Sequence, residues 1–272
     1  MDAIDRFFEE DLGTQGDITS DALFTTQRAS AELWVKQACV LAGLEEASLV
    51  FSRAGASLSA RYRDGDVVAV KTLVATVSGP VRSILKAERL ALNFLGRMSG
   101  IATQTKALCD LCHAVNPKVR VAATRKTTPG FRVFEKKAVV IGGGEPHRMG
   151  LYDAILIKDN HLHASGSVEK AVAAVQRARP GMPVEVEVET EEDALTAARL
   201  GVACIMLDNM DPRTGAGVAA KIRLINPGIL IEVSGGITRE SVARYARFAD
   251  RISVGALTHS VSVIDFSLDL VG

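Results

Sequence analysis

Basic residues and turn-forming residues concentrate in one stretch of this chain, residues 118–148. The stretch carries eight lysines and arginines against two glutamates, although the formal net charge of the 272-residue chain is zero. The basic residues alternate with residues 127–130, TTPG, and with residues 142–144, GGG. Glycine lets backbone N–H groups approach a ligand closely, and arginine binds carboxylate or phosphate through two parallel hydrogen bonds. The stretch therefore predicts an anion-binding site.

Composition excludes several other classes of protein. Nucleic-acid binding usually requires a basic surface over a whole domain, and outside this stretch the chain has no excess of basic residues. No run approaches the roughly 20 apolar residues of a membrane helix, and the acidic first residues do not resemble a signal peptide. We therefore expect a cytoplasmic protein that binds neither nucleic acid nor membrane. Cys109 and Cys112 form a lone CxxC within a helical pattern, which favours two thiols on a helix over a metal or redox site.

The second half of the chain alternates strand and helix patterns that must position the basic residues. Strand patterns lie at residues 119–124, 154–158, 184–189, 204–208, 229–234 and 251–256. Helical patterns lie at residues 168–179, 191–200, 214–225 and 239–248, with Thr190 and Thr238 before the second and the last. Such alternation predicts a parallel sheet covered by helices. Six strands are fewer than the eight of a full barrel, so an incomplete barrel and a doubly wound sheet both remain open.

In both folds the functional site lies at the carboxyl ends of the strands. This rule selects Arg125, Lys126, Lys158, Asp159, Glu187, Glu189, Asp208, Asn209, Ser234, Gly235, Gly236, Gly255 and Ala256.

The first part of the chain predicts a separate α+β segment. Strand patterns and one short helical pattern fill residues 29–80, and a long helix begins near Ser83 with Ala87, Ala91, Leu95 and Met98 on one stripe. Residues 64–80 also resemble swinging-arm carrier domains, which we consider the weaker interpretation because Lys71 lacks an acceptor hairpin.

Several motifs together resemble the quinolinate phosphoribosyltransferase family. The motifs run in order through most of the chain and read EDLGTQGDIT, ERLALNFL, SGIAT, TRKTTPG, EKKAV, GGG, HRMGLYD, LIKDNH, VEVEVE, LDN, SGGI and VGALTHS. The resemblance implies an N-terminal α+β sandwich domain followed by an incomplete parallel α/β barrel. It implies domains at residues 1–101 and 102–260, with residues 261–272 returning to the first domain.

The resemblance also implies the reaction and the residues that perform it. The reaction transfers a phosphoribosyl group from phosphoribosyl pyrophosphate, carried with Mg²⁺, to quinolinate with decarboxylation. The quinolinate pocket would contain Thr124, Arg125, His147, Arg148 and Lys158, with Arg89 supplied by the partner of a homodimer. The diphosphate and ribose phosphate would be bound by Lys126, Ser234, Gly235, Gly236, Gly255 and Ala256, helped by the helix that starts near Thr238.

Three glutamates alternate along the strand pattern of residues 184–189. We expect Glu185 to form an ion pair with barrel lysines. We expect Glu187, with Asp208 on the next strand, to hold the waters of Mg²⁺ or the ribose hydroxyls. Lys126, Lys158, Glu187 and Asp208 are therefore the candidate catalytic residues.

Other functions remain open on the sequence. A related phosphoribosyltransferase would use the same site for another cyclic acid. A barrel lyase would use Lys158 as a Schiff base, which requires a desolvated lysine. A non-catalytic protein would bind the anion without turnover.

Overall fold

The computed structural model describes residues 3–271. These residues divide into two compact units: the first extends up to Gln104 and includes the segment from Val261 onward, and the second is Thr105–Ser260. Whether each unit folds alone, as the predicted domains imply, stays a prediction. No helix within residues 3–271 is long and apolar enough to cross a membrane.

The first unit is the α+β segment that the sequence predicted. Its elements are α1 (Ala3–Leu12), α2 (Ile18–Leu23), β1 (Arg28–Val35), β2 (Cys39–Val40), α3 (Leu44–Ala54), β3 (Ser57–Ala60), β4 (Val67–Val68), β5 (Thr72–Pro80) and α4 (Val81–His113). β1 and β3 both pair antiparallel with β5, and β2 pairs antiparallel with β4. Ala31, Leu33 and Val35 alternate along β1 and are fully buried, because one face of this sheet packs on the core.

Lys71 does not lie on a hairpin of the kind that carrier domains use. It follows β4, which pairs with β2, and precedes β5, which pairs with β1 and β3. The structure therefore does not support the swinging-arm interpretation. The apolar stripe predicted for the long helix is confirmed, because its four residues are fully buried on α4. The division between the units falls inside this helix.

The second unit contains all six predicted strands. Its elements are β6 (Arg120–Ala122), α5 (Arg132–Ile141), β7 (Ile155–Ile157), α6 (Asp159–Ser165), α7 (Val168–Ala178), β8 (Val184–Val188), α8 (Glu191–Arg199), β9 (Cys204–Asp208), α9 (Pro212–Ile225), β10 (Leu230–Ser234), α10 (Val242–Tyr245), β11 (Arg251–Ser253) and α11 (Ala256–His259). Among the described residues the strands form one parallel sheet in the order β6-β11-β10-β9-β8-β7.

This strand order settles the alternative that the sequence left open. From β7 to β11 each strand pairs with the next strand along the chain, and β11 then pairs with β6. The strands therefore wind in one direction, with no reversal of the kind that defines a doubly wound sheet. The sheet is an incomplete barrel, open between β6 and β7.

Local sequence explains where the covering helices begin. The Thr190 side chain caps α8 by accepting from the Asp193 N–H, and the Asp211 carboxylate caps α9, whose first residue is proline. The predicted helix at residues 239–248 is wrong in extent, since α10 has only one turn. Before it, Thr238 and Ser241 hydrogen-bond each other in a local turn, which competes with helix formation.

The last strand, β12 (Phe266–Val271), returns to the first unit as predicted. It pairs antiparallel with β1 from Ser30 opposite Val271 to Val35 opposite Phe266. The four-stranded sheet that results among the described residues has the order β12-β1-β5-β3.

Candidate active site

A cavity of about 620 Å³ opens where the parallel strands of the second unit end. Its size is typical of small-molecule sites. The predicted site residues that line it are Thr124, Arg125, Lys126, His147, Arg148, Lys158, Glu187, Asp208, Ser234, Gly235, Gly236, Gly255 and Ala256. Arg89 lies in the first unit, exposed on α4. The strand-end rule also selected Asp159, Glu189 and Asn209, which are not lining residues.

Positive charge dominates one part of the cavity wall. Arg125 and Lys126 follow β6, and Arg148 lies between α5 and β7. The Nε of Arg125 is buried and has no hydrogen-bond partner in the described part of the chain. Burial, followed by the nearby Arg125 guanidinium, lowers the pKa of Arg148. Two guanidinium groups gathered in this way repel each other, so an anion between them would relieve both the repulsion and the unsatisfied donor.

His147 adds a titratable group on left-handed backbone. Its φ is +52°, a left-handed conformation that few residues other than glycine adopt. Its Nε2 lies 3.4 Å from Glu232 Oε2 and 3.5 Å from Glu185 Oε2. Burial alone would lower the pKa of His147, but the two nearby carboxylates outweigh burial and raise it to about 9. The Arg148 N–H donates to Nδ1 at 2.8 Å, so in this arrangement Nδ1 carries no proton, and a charged imidazolium would require this hydrogen bond to break.

Arg251 neutralises the two glutamates beneath His147. Its Nε donates to Glu232, and its Nη2 lies 3.4 Å from Glu185. The prediction that Glu185 pairs with barrel lysines is therefore wrong, since its partners are Arg251 and His147. A lysine partner was inferred from strand alternation alone, which does not show what residue type a facing strand contributes.

Among residues 3–271, three of these side chains form a group that could in principle hold a metal ion. Candidate ligand atoms of His147, Glu185 and Glu232 lie within 4.8 Å of one another. The Arg251 guanidinium already supplies a positive charge to both carboxylates. A divalent cation here would face that guanidinium at close range, so the arrangement fits a buried ion-pair network better than a metal site.

Glu187 and Asp208, the predicted metal residues, lie on the neighbouring strands β8 and β9 and line the same cavity. The Lys158 ammonium donates to Glu187, and Asp208 accepts from the Asn209 amide at 2.7 Å. Burial raises the pKa of Glu187 despite the opposing effect of Lys158. These carboxylates offer oxygen ligands of the type that Mg²⁺ prefers, but they are too few for octahedral coordination. The set fits a Mg²⁺ that arrives with most of its ligands supplied by diphosphate and water.

The loop after β10 brings main chain close to the cavity. Gly235 has φ +91°, and a Cβ there would lie 2.1 Å from the Asn209 Oδ1. Asn209 itself adopts φ +56° and donates its N–H to Ser234 O at 3.0 Å. Only glycine fits at position 235, because the asparagine side chain fills the space of a Cβ. The expectation that a helix N-terminus near Thr238 contacts the phosphate is wrong, since α10 begins only at Val242.

The run of glycines at residues 142–144 does not form an anion cradle. Their N–H groups donate to Ala138, Val140 and Val139 and end α5, and none of the three lines the cavity. Residues 127–130 are likewise absent from the lining. Residues 118–148 therefore contain a helix, α5, which the many glycine and threonine residues of this stretch did not indicate.

Sequence reasoning missed several lining residues, namely Ala123, Leu156, Met206, Ile237, Thr238, Ser253, Val254 and His259. Leu156 and Met206 lie within β7 and β9, so a rule restricted to strand ends passes over them. Ser253 is the last residue of β11 and was missed because the strand pattern was extended to residue 256. It also missed Glu232 and Arg251, although a glutamate inside the apolar strand of residues 229–234 was a detectable signal, because charged residues are almost never fully buried without a partner.

Comparison with known proteins gives consistent matches over both units. Residues 17–99 match the family model for the quinolinate phosphoribosyl transferase N-terminal domain, and residues 101–269 match the model for its C-terminal domain. A probable nicotinate-nucleotide pyrophosphorylase [carboxylating] of Archaeoglobus fulgidus is 43% identical over 93% of this chain and 97% of the relative. One from Bacillus subtilis is 40% identical over 98% of this chain and 92% of the relative.

Solved structures give the same result. The crystal structure of NadC from Streptococcus pyogenes superposes with a TM-score of 0.90 at 39% identity, covering 98% of this chain and 96% of that one. The backbone arrangement described above is therefore shared with proteins of this kind.

Proposed function

This chain belongs to the quinolinate phosphoribosyltransferase family, and from this premise we propose the reaction of its barrel cavity. The enzyme is a pentosyltransferase that transfers the phosphoribosyl group of phosphoribosyl pyrophosphate to quinolinate. The products are nicotinate mononucleotide, CO₂ and diphosphate, so the reaction belongs to NAD biosynthesis.

The observation that carries this proposal is the concentration of cationic groups around an unsatisfied donor. Quinolinate is a pyridine with two adjacent carboxylates, and the cavity is lined by the cations Arg125 and Arg148 together with His147, which becomes cationic on protonation. Arg125 in addition has a buried Nε without a partner in the described chain. Preorganised charge of this kind binds a dianion without reorganising at the moment of reaction.

Bond changes in the reaction need no covalent catalyst. The ring nitrogen attacks the anomeric carbon, the bond from that carbon to the diphosphate oxygen breaks, and diphosphate leaves. The positively charged nitrogen then stabilises the electron pair that remains on the adjacent ring carbon when CO₂ departs, and a proton takes the place of the carboxylate. We assign Lys158 to the reacting carboxylate and Lys126 to the diphosphate. Catalysis consists of positioning and electrostatic stabilisation.

We propose that Mg²⁺ enters with phosphoribosyl pyrophosphate and offsets its negative charge. Glu187 and Asp208 would hold the water ligands of the metal or the ribose hydroxyls, and Ser234, Gly235, Gly236, Gly255 and Ala256 would surround the phosphate. What supports this assignment is that both carboxylates line the same cavity as Lys126. Without a divalent cation they would repel the diphosphate.

We further propose a homodimer in which Arg89 enters the site of the partner. Arg89 is exposed on α4, which is consistent with a role outside its own barrel. The test mixes Arg89→Ala with Lys158→Ala under conditions that let subunits exchange. A mixed dimer has one site with both changes and one with neither, so roughly a quarter of wild-type activity should return at statistical mixing. No recovery despite demonstrated exchange would show that Arg89 acts within its own chain.

A Schiff-base lyase is the less favoured function for this site. The Lys158 side chain is 40% exposed and its ammonium is paired with Glu187, whereas a Schiff-base lysine needs an apolar, desolvated pocket. Borohydride reduction in the presence of a keto-sugar phosphate should leave Lys158 unmodified.

The deciding experiment measures CO₂ release from carboxyl-labelled quinolinate with and without phosphoribosyl pyrophosphate. Release that requires both phosphoribosyl pyrophosphate and Mg²⁺ supports the proposal. Nicotinate and other pyridine acids, tested in parallel, decide whether the substrate is quinolinate or another cyclic acid. Binding of both substrates without any product would favour a non-catalytic protein instead.

A further inference from the structure

A lysine outside the cavity holds the segment that carries two of its lining residues, His147 and Arg148. Lys136 lies on α5 and is 1% exposed. Its ammonium donates to the main-chain oxygens of Pro146 and Arg148. These two carbonyls flank His147, the residue with φ +52°. The lysine therefore bridges the two sides of a left-handed turn whose side chains enter the cavity.

Two features of this arrangement are unfavourable for the free energy of folding. A buried ammonium usually has a carboxylate partner. Within residues 3–271 no carboxylate lies at ion-pair distance from Lys136, and its ammonium donates to carbonyl oxygens instead. Left-handed backbone at a residue other than glycine is also unfavourable, and it persists only where its surroundings determine it. Both costs fall on the same turn. The ammonium offsets the second by drawing the two carbonyls toward one point.

The same helix also contacts the loop that carries Arg125 and Lys126. Arg132, one turn before Lys136, donates to Thr127 Oγ1 and to Met149 O, each at 2.9 Å. Glu135 accepts from the Thr128 N–H at 3.0 Å and from the Thr128 hydroxyl at 2.9 Å. Helix α5 is thus hydrogen-bonded to both cationic loops, and Lys136 is its contact with the main chain on either side of His147.

We propose that Lys136 is a positioning residue for the quinolinate half of the site. It fixes the turn at His147 so that His147 and Arg148 face the substrate carboxylates. It does not touch substrate, because it is not among the residues that line the cavity. The proposal rests on the proposed function, since it assigns these two side chains to quinolinate and not to phosphoribosyl pyrophosphate.

The test replaces Lys136 with methionine, which keeps most of the side-chain volume and removes the charge. Lys170→Met is the matched control, because Lys170 is exposed on α7. Misplacing a binding group by about 1 Å typically costs up to a hundredfold, so the KM for quinolinate should rise roughly tenfold to a hundredfold. The KM for phosphoribosyl pyrophosphate should stay within about twofold of wild type, because its predicted contacts lie on other loops.

Lys136→Gln is measured alongside, because it keeps donors on a shorter side chain if the methionine variant does not fold. It should show the same selective rise in smaller degree. A double-mutant cycle with Arg148→Ala then tests the route of the effect. If Lys136 acts through the turn, Lys136→Met should raise the quinolinate KM of Arg148→Ala by a clearly smaller factor than it raises that of wild type, because only the placement of His147 remains to be lost.

The outcomes separate this inference from the proposed function. If wild-type protein does not convert quinolinate, the proposed function fails. If wild type and Lys170→Met are active, and the Lys136 variants either match them or raise both KM values equally with a lower melting temperature, then Lys136 has a structural role only and the inference is overturned.

Discussion

Replacing Glu232 with glutamine should change the pKa of His147, although Glu232 itself does not line the cavity. Glu232 is fully buried and accepts from Arg251 and Ser253, and it is one of two carboxylates that raise the pKa of His147 to about 9. A glutamine amide would lose the negative charge and place N–H donors near the histidine Nε2. The pKa of His147 should therefore fall toward the ordinary value of 6.5.

The cost in stability has two parts. Breaking a buried charged pair typically costs about 3–5 kcal/mol of unfolding free energy. The part linked to His147 depends on pH: a rise of the folded-state pKa from 6.5 to about 9 is worth at most about 3.5 kcal/mol, at about 1.4 kcal/mol for each pKa unit. This stabilisation is fully present below pH 6.5 and is lost as pH rises through 9. The difference between wild type and Glu232→Gln should accordingly be larger at pH 6 than at pH 9.5.

Two measurements check this reasoning. Urea denaturation at the two pH values gives the difference in unfolding free energy, and NMR titration with labelled histidine gives the pKa of His147 directly. Glu191→Gln is a suitable control, since this glutamate is exposed and far along the chain from the network. A His147 pKa that stays near 9 in Glu232→Gln would refute the assignment of its charge to the buried pair.

Four further outcomes are expected. Arg148→Ala should weaken quinolinate binding by about 2–5 kcal/mol, which steady-state kinetics would show as a higher KM, while circular dichroism should show that the protein stays folded. Glu187→Ala or Asp208→Ala should weaken phosphoribosyl pyrophosphate much more than quinolinate in calorimetry, and equal affinities would remove the metal assignment. Chelation of divalent cations should abolish turnover but spare quinolinate binding. Gly235→Ala should lower both activity and melting temperature, because its Cβ would meet the Asn209 side chain.

The strands of the barrel and the residues at their ends were predictable from the sequence. Both depend on local pattern: apolar runs such as residues 204–208 form buried parallel strands, and the polar residues that follow them meet at one edge of the sheet. The choice between an incomplete barrel and a doubly wound sheet was not local. It depends on which strand pairs with β6, and that partner, β11, lies far along the chain.

The error at α5 shows what pattern could not reveal. Arg132 and Lys136 were counted among the cations of an anion-binding stretch, since glycines and threonines surround them. In the structure they lie one turn apart on a helix, and they donate to the main chain of other loops. A basic residue that binds carbonyl oxygens and one that awaits a ligand look alike in sequence. Only the position of the partner atoms distinguishes them.

The distribution of charge around the cavity follows from this difference. Lys136 and Arg251 are cations whose charge is used inside the protein, on carbonyls and on buried glutamates respectively. Arg125 and Arg148, in contrast, line the cavity, and Arg125 keeps a buried Nε unpartnered in the described chain. The first pair fixes the backbone and the charge of the turn at His147, so the second pair can stay close together despite mutual repulsion. The proposed anion site would therefore depend on the ion pairs and carbonyl contacts that hold this turn, because preorganised charges can stay close together only where the backbone does not move to separate them.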